Sequence, residues 1–243
     1  MCLDCGCENA NLLKTNPALK SLNSVDFKEL TPLVQKIQVG KDILHKNDKQ
    51  AFANRENFNR NGLRVFNFMS SPGSGKTTLL CALSEFLKNR ERTQIIVGDL
   101  ETSIDADRLK KYYSSVQQIN TVASCHLDAT HLDAVTIEEK EGFLFIENIG
   151  NLVCPASFDL GEDKRVAVIS VTEGEEKPLK YPLLFKDADL CIITKTDLIP
   201  HLEFDINQLE ENIKKVNMSA PIFHTSSKTL EGLSELAKWI EGN

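Results

Sequence analysis

Gly73, Ser74, Gly75, Lys76, Thr77 and Thr78 close the run Phe66-Asn-Phe-Met-Ser-Ser-Pro-Gly-Ser-Gly-Lys-Thr-Thr78, and residues of these types at this spacing can hold a chain of phosphates. Gly73 and Gly75 let the backbone curl so that several N–H groups face one anion. Lys76 brings a positive charge to the terminal phosphates, and Thr77 offers a hydroxyl to a Mg²⁺ ion. The helix that follows, read over Thr77–Lys88 with Leu79, Leu80, Leu83, Phe86 and Leu87 as its apolar stripe, aims its positive end at the same point. Ser70 stands where the full pattern Gly-x-x-x-x-Gly-Lys-Ser/Thr has its first glycine, a mild change because serine is small. The expected ligand is a nucleoside triphosphate.

Two carboxylates close apolar runs in positions suited to Mg²⁺ or to an attacking water. Asp99 ends Ile95-Ile-Val-Gly-Asp, and Glu147 ends Phe143-Leu-Phe-Ile-Glu, with Gly150 following as a backbone N–H that can sense a γ-phosphate. Which acid takes which step is left open by the sequence. No arginine stands out as a finger, so slow intrinsic hydrolysis is expected. Leu190-Cys-Ile-Ile-Thr-Lys-Thr-Asp197 resembles the Asn/Thr-Lys-x-Asp signature of GTPases. Asp197 can accept from the N1–H and the 2-amino group of guanine, while Lys195 lays its stem along the base. Adenine lacks both donors and would leave the carboxylate unpaired. Thr225-Ser-Ser-Lys228, with Ser226, Ser227 and Lys228, resembles more loosely the loop that supports guanine in those enzymes.

The thiols form two further groups. Cys2, Cys5 and Cys7 lie within six residues, and thiolates suit soft or borderline divalent metals. With the α-amine or a backbone nitrogen they can complete a square-planar set, which favours Ni²⁺ or Cu²⁺ over tetrahedral Zn²⁺. Cys125 and His126 are adjacent and cannot easily close a site within one chain, but two copies can supply four ligands. Cys154 follows in Asn148-Ile-Gly-Asn-Leu-Val-Cys-Pro155, directly after the strand that ends in Glu147. Cys81 and Cys191 read as core, His131 as a helix-surface residue, Trp239 as packing for the last helix, and Asp159, Glu162 and Asp163 as a solvated loop.

The elements that must position these groups alternate. Strands are expected at Arg64–Met69, Gln94–Val97, Val116–Val122, Gly142–Glu147, Arg165–Val171, Leu190–Thr194 and Pro221–Thr225. Helices are expected at Thr77–Lys88, Ala106–Tyr113, Leu127–Lys140, Ile206–Lys215 and Leu230–Ile240. Strands that are apolar throughout imply an α/β fold with a mostly parallel sheet covered by helices on both faces, and ligands held beyond the carboxyl ends of the strands. A helical extension over Asp26–Asn59, with Leu33, Val34, Ile37, Ile43 and Leu44 on one face, precedes this unit. The expected organisation is a mobile metal-binding arm over 1–25 and a nucleotide domain over 26–243.

Composition narrows the setting. The net charge of −7 over 243 residues argues against a nucleic-acid surface. No apolar run approaches the roughly 20 residues that span a bilayer, and no signal peptide is evident, so a cytoplasmic protein with reduced thiols is expected, without a membrane partner.

Taken together, the N-terminal Cys-x-x-Cys-Gly-Cys, Ser-Ser-Pro-Gly-Ser-Gly-Lys-Thr-Thr, Gly-Asp-x-x-Thr, the Cys125–His126 pair and Glu-Asn-Ile-Gly-Asn-Leu-Val-Cys-Pro resemble the HypB family, the nickel-incorporation GTPases of nickel–iron hydrogenase maturation. The resemblance covers nearly the whole chain. It implies a P-loop NTPase fold, GTP and GDP with Mg²⁺, and Ni²⁺ delivered to the hydrogenase large-subunit precursor. It also implies a homodimer linked by nucleotide or metal, and a small zinc-containing accessory partner of the HypA type. By position, Cys2, Cys5 and Cys7 match a tight nickel site, and Cys125, His126 and Cys154 match the metal site of the GTPase domain, for Ni²⁺ or Zn²⁺. The histidine-rich tract of other members is missing, so no nickel store is expected. The alternatives are another metal-insertion GTPase resembling the urease accessory one, where Cys-Pro-His replaces Cys154-Pro155-Ala156, a P-loop small-molecule kinase, or a metal buffer with a vestigial nucleotide site.

Overall fold

Runs that are apolar on both sides of the pleat must be covered on both faces, which forces the strands into the middle of the molecule. The computed structural model describes residues 27–99, 102–121, 124–138 and 140–243, with backbone alone for 27–42 and 134. Its strands are β1 (Arg64–Ser70), β2 (Thr93–Asp99), β3 (Ser115–Asn120), β4 (Phe143–Glu147), β5 (Lys164–Ser170), β6 (Leu190–Thr194) and β7 (Ile222–His224). They form one sheet in the order β3-β2-β4-β1-β5-β6-β7, and every pairing is parallel.

The period of two sorts the strand residues onto two faces. Phe66, Phe68, Ile95, Val97, Phe143, Phe145, Val168 and Ile192 pack under α2 (Lys76–Leu83), α3 (Ile104–Leu109) and α7 (Leu233–Gly242). Phe66 meets Phe145 edge-to-face at 5.7 Å and Trp239 at 6.4 Å, contacts worth about 0.5–1.5 kcal/mol each beyond their burial. Trp239 thus ties the last helix to the sheet as expected. On the other face, Met69, Ala167, Ile169 and Ile193 pack with α5 (Pro182–Lys186) and α6 (Ile206–Val216), next to the short α4 (Lys177–Lys180). Beside them Val65, Ile96, Leu144 and Ile146 pack against Phe58 of α1 (Phe27–Arg60). Among the described residues no helix is long and apolar enough to cross a membrane.

Four expectations are corrected. The helix expected over Leu127–Lys140 is a 3-10 turn, Ala129–Ala134, followed by an extended stretch. Asp128 caps that turn by accepting from the Thr130 and His131 amides, and the Gln94 and Gln117 side chains take the Thr136 and Glu138 backbone groups that a helix would have used. His131 is therefore a half-buried partner of Asp128, at 2.9 Å, and not a helix-surface residue. The loop of Asp159, Glu162 and Asp163 is not simply solvated: Glu162 is buried against Arg165 and Asn67, Asp159 pairs with Arg55, and Asp163 accepts from the Val65 amide. On α1, Leu44 is exposed, and the buried face is Asn47, Ala51, Asn54 and Phe58. Leu33, Val34 and Ile37 lie outside the described side chains, and Val122 lies outside the described residues altogether. Boundaries move elsewhere: α2 ends at Leu83, where the Ser84 hydroxyl takes the Cys81 carbonyl, and α7 starts after Gly232, whose φ is +74°.

Candidate functional site

The loop between β1 and α2 leaves the sheet at its middle strand and turns through Gly73 and Gly75, at φ +76° and +94°, a region closed to most side chains. Gly75 is the residue from which α2 starts, so the helix's unpaired amides face the same space as Lys76 and Thr77. Thr194 Oγ1 donates to the Ser74 carbonyl at 2.6 Å, and Lys195 Nζ donates to the Gly73 carbonyl at 2.7 Å. Glu173, which no local sequence signature marks, accepts from the hydroxyls of Ser71 and Ser74 (2.7 Å for the latter) and from the Ser170 amide at 2.9 Å. The loop is therefore held from below by a carboxylate and from the side by β6.

A pocket of about 540 Å³ opens above this loop. It is lined by Gly73, Gly75, Lys76, Thr77, Thr78 and Lys195 on one side and by Asp99, Glu147, Asn148 and Gly150 on the other. Lys76 Nζ rests 2.7 Å from Ser70 Oγ, so the serine at the first pattern position serves as its partner. Burial lowers the Lys76 pKa, against the opposing pull of Glu147. Thr77 Oγ1 donates to Glu147 Oε1 at 2.6 Å, while Glu147 Oε2 is buried with no hydrogen-bond partner among the described residues. Burial pushes the Glu147 carboxyl up to about 7, with the Lys76 charge and the Thr77 bond working against it. An orphaned carboxylate oxygen beside a threonine hydroxyl fits a hard cation such as Mg²⁺. Asp99 is more open and accepts from the Thr102 amide and hydroxyl at 3.3 and 3.0 Å. The structure also brings in Arg108, whose Nη2 donates to Thr78 Oγ1 at 3.0 Å and which lines the pocket with Asp105. Nothing in its local sequence marks Arg108; only the packing of α3 beside α2 carries it there.

A second recess, about 210 Å³, adjoins the first and shares Gly75, Thr78 and Lys195 with it. Thr194, Asp197, Leu198, Ser227 and Lys228 complete its wall. Asp197 Oδ1 accepts from Ser226 Oγ at 2.7 Å, and that hydroxyl also accepts from the Lys228 and Thr229 amides. The two segments singled out in the sequence thus form one wall, with Asp197 held in a fixed orientation.

The third group lies on the far side of β4. Cys125, His126 and Cys154 place their ligand atoms within 4.8 Å of one another. The two sulfurs are 3.0 Å apart, and Cys125 Sγ is 3.7 Å from His126 Nδ1. His126 and Cys154 are buried and Cys125 is half-exposed. Burial lowers the His126 pKa, which keeps the imidazole neutral and able to ligate, and its ring stacks on Phe158 at 4.0 Å. Two thiols and an imidazole suit Zn²⁺ or Ni²⁺. Asn148, the neighbour of Glu147, accepts from the Leu127 amide at 3.2 Å and so ties the pocket wall to the residue after His126. Cys2, Cys5 and Cys7 lie outside the described residues.

Residues 64–224 match the family model described as CobW/HypB/UreG, nucleotide-binding domain. The chain is 47% identical over 209 residues to the hydrogenase maturation factor HypB of Azotobacter chroococcum, covering 84% of this chain and 68% of that one. It is 43% identical over 211 residues to the hydrogenase/urease maturation factor HypB of Helicobacter pylori, covering 84% and 86%. Among solved structures, HypB from Helicobacter pylori in complex with nickel superposes with a TM-score of 0.76 at 41% identity, covering 81% of this chain and 94% of that one. HypB from Archaeoglobus fulgidus gives 0.76 at 34% identity, covering 82% and 98%. The P-loop, the parallel sheet and these relatives together establish that the chain belongs to the HypB hydrogenase maturation factors, within the CobW/HypB/UreG family of nucleotide-binding proteins.

Proposed function

We propose that the chain is a GTP-hydrolysing nickel metallochaperone that loads the large-subunit precursor of a nickel–iron hydrogenase. One observation carries the reading: the single segment Glu147–Pro155 supplies the wall of the nucleotide pocket at one end and Cys154 of the thiol–imidazole cluster at the other. A change at the phosphates that moves this segment changes the distance between Cys154 and the Cys125–His126 pair. Nickel is the cargo, held by Cys125, His126 and Cys154, and the relative from Helicobacter pylori was solved in complex with nickel.

In this reading Gly73, Ser74, Gly75, Lys76, Thr77 and Thr78 hold the phosphates, and Lys195, Asp197, Ser226, Ser227 and Lys228 hold guanine. Thr77 with Asp99 or Glu147 would hold Mg²⁺, which would supply charge neutralisation to the phosphates. The remaining acid orients the attacking water, and Arg108 swings from Thr78 to the triphosphate. Arg108→Ala is then expected to lower kcat for GTP about 10²-fold while GDP affinity barely changes. An unaltered kcat would leave Arg108 as a partner of Thr78 alone.

Cys125, His126 and Cys154 supply three ligand atoms, and a second copy would add further ligands in a nucleotide-linked homodimer. Residues 26–243 form the GTPase unit, and residues 1–25 a metal-binding arm in which Cys2, Cys5 and Cys7 hold a separate nickel ion. The setting is the cytoplasm, where thiols stay reduced, and the accessory partner is a small zinc-containing protein of the HypA type. The name of the Helicobacter pylori relative favours urease as a second recipient.

The test is titration with Ni²⁺ of the reduced protein and of a Cys2/Cys5/Cys7→Ala variant, each with GDP and with a non-hydrolysable GTP analogue. Two sites are expected in the wild type. The variant should keep one, whose affinity depends on the nucleotide and disappears in Cys125→Ser. Equal affinity in both nucleotide states would refute the switch.

A further inference from the structure

Two asparagines on the N-terminal helix join the two chain segments from which the thiol–imidazole cluster is made. Asn47 and Asn54 are 4% and 6% exposed, although neither type favours the interior without full pairing. Asn54 Nδ2 donates to the Ala129 carbonyl at 2.8 Å and to the Leu160 carbonyl at 3.1 Å. Asn47 accepts from the Ala129 amide at 2.9 Å and donates to the Asp159 carbonyl at 2.8 Å. Each side chain therefore holds one point just after Cys125–His126 and one point just after Cys154. Phe158, stacked on His126, lies within the second segment. The approach is close. A Cβ at Gly161 would sit 2.7 Å from the Ala51 carbonyl and 2.8 Å from the Arg55 amide, and the Gly161 φ of +92° excludes most other residues. Arg55 adds a second tie to Asp159 at 2.9 Å.

We propose that α1 is the positioning element of the Cys125/His126/Cys154 site, setting the separation of its two halves through Asn47 and Asn54. The inference rests on the reading of that cluster as the nickel site. None of these side chains touches the nucleotide pocket, so the two binding functions should separate. Hydrogen-bonded groups outside the ligand shell govern metal affinity through ligand geometry. The donors here are sulfur and nitrogen atoms on two loops that no disulfide joins, so their spacing depends on how the loops are held.

The experiment uses the full chain in the Cys2/Cys5/Cys7→Ala background, with Ni²⁺ alone as the probe. Affinity is read by chelator competition, and site geometry by the thiolate-to-metal absorption band. Asn54→Ala and Asn47→Asp are compared with Asn217→Ala as a control. Asn217 is a buried asparagine that donates to the Phe185, Lys186 and Ala188 carbonyls on the other half of the sheet. Asn54→Ala is expected to weaken Ni²⁺ about tenfold and to shift the band, with unchanged GDP affinity. Asn47→Asp keeps the acceptor for Ala129 but faces the Asp159 carbonyl with an oxygen, so it should act in the same direction and provides the test if Asn54→Ala does not fold. The control should lose thermal stability and keep both affinity and band. Wild-type affinity and band in the folded α1 variants would overturn the inference while leaving the nickel site intact. If Cys125→Ser also binds Ni²⁺ like the parent, the cluster is not the nickel site and both readings fall.

Discussion

Glu147→Gln is expected to reduce GTP hydrolysis by about 10²–10⁴-fold and, in the same protein freed of nucleotide and Mg²⁺, to raise stability above neutral pH. The first effect follows from removing a carboxylate that meets either the metal or the attacking water. The second follows from burial. Glu147 is 5% exposed, and its carboxyl pKa is pushed up to about 7 from an ordinary 4.5. Between those values the folded chain keeps a proton that the unfolded chain has released. Stability therefore falls as pH rises through this window, by an amount on the order of 3 kcal/mol. Glutamine has the shape of the protonated form, still accepts from Thr77, and carries no charge to desolvate. The two stability curves should coincide below about pH 4 and separate progressively up to about pH 7, with the variant above. Denaturant unfolding of both proteins across that range checks it. Parallel curves would mean that water or a rearrangement of Lys76 relieves the charge. Adding Mg²⁺ and GDP should close the gap, because the cation then stabilises the ionised wild-type carboxylate.

This half-satisfied acid shows what sequence alone could reach. Glu147 could be singled out because it ends an apolar strand, and Lys76 and Thr77 because their pattern has one physical purpose. Asp197 and Ser226 each lie in a local signature, but their 2.7 Å bond is a tertiary fact. The sheet was legible for the same reason: β1, β4, β5 and β6 are apolar on both sides, which leaves a covered parallel strand as the simple reading. Glu173 and Arg108 were not legible, since a carboxylate gripping two serines and an arginine reaching across from α3 have no local spacing. Asn47 and Asn54 were hidden by their polarity. A helix face is read from apolar positions, which draws the face of α1 through the exposed Leu44 instead of through two buried asparagines. The segment after His126 failed differently. Leu132 and Val135 repeat at helical spacing, but the Asp128 cap and the glutamines of β2 and β3 offered its backbone better partners.

Asp197→Asn is expected to exchange guanine for xanthine as the preferred base. The half-buried Asp197 carboxylate faces the recess of about 210 Å³ next to the phosphate loop, fixed by Ser226 Oγ. Its two oxygens can accept the N1–H and 2-amino donors of guanine. In the variant, the amide oxygen still serves the N1–H, but the NH₂ group now faces the guanine 2-amino group, donor against donor. Xanthine carries an oxygen at that position and accepts from the new amide. A site built around such a bond separates related ligands by about 10⁴, so most of the GTP affinity should be lost and xanthosine triphosphate should gain a comparable advantage. The folded structure should be unaffected, because Ser226 can donate to the amide oxygen as it does to the carboxylate. Competition of GTP and xanthosine triphosphate for wild type and variant, each with Mg²⁺, measures the exchange directly. Hydrolysis of xanthosine triphosphate by the variant would further show that phosphate chemistry at Lys76, Thr77 and Glu147 is independent of the base. Undiminished GTP affinity would remove Asp197 from base recognition and leave Lys195, Ser227 and Lys228 among the walls that could hold the base.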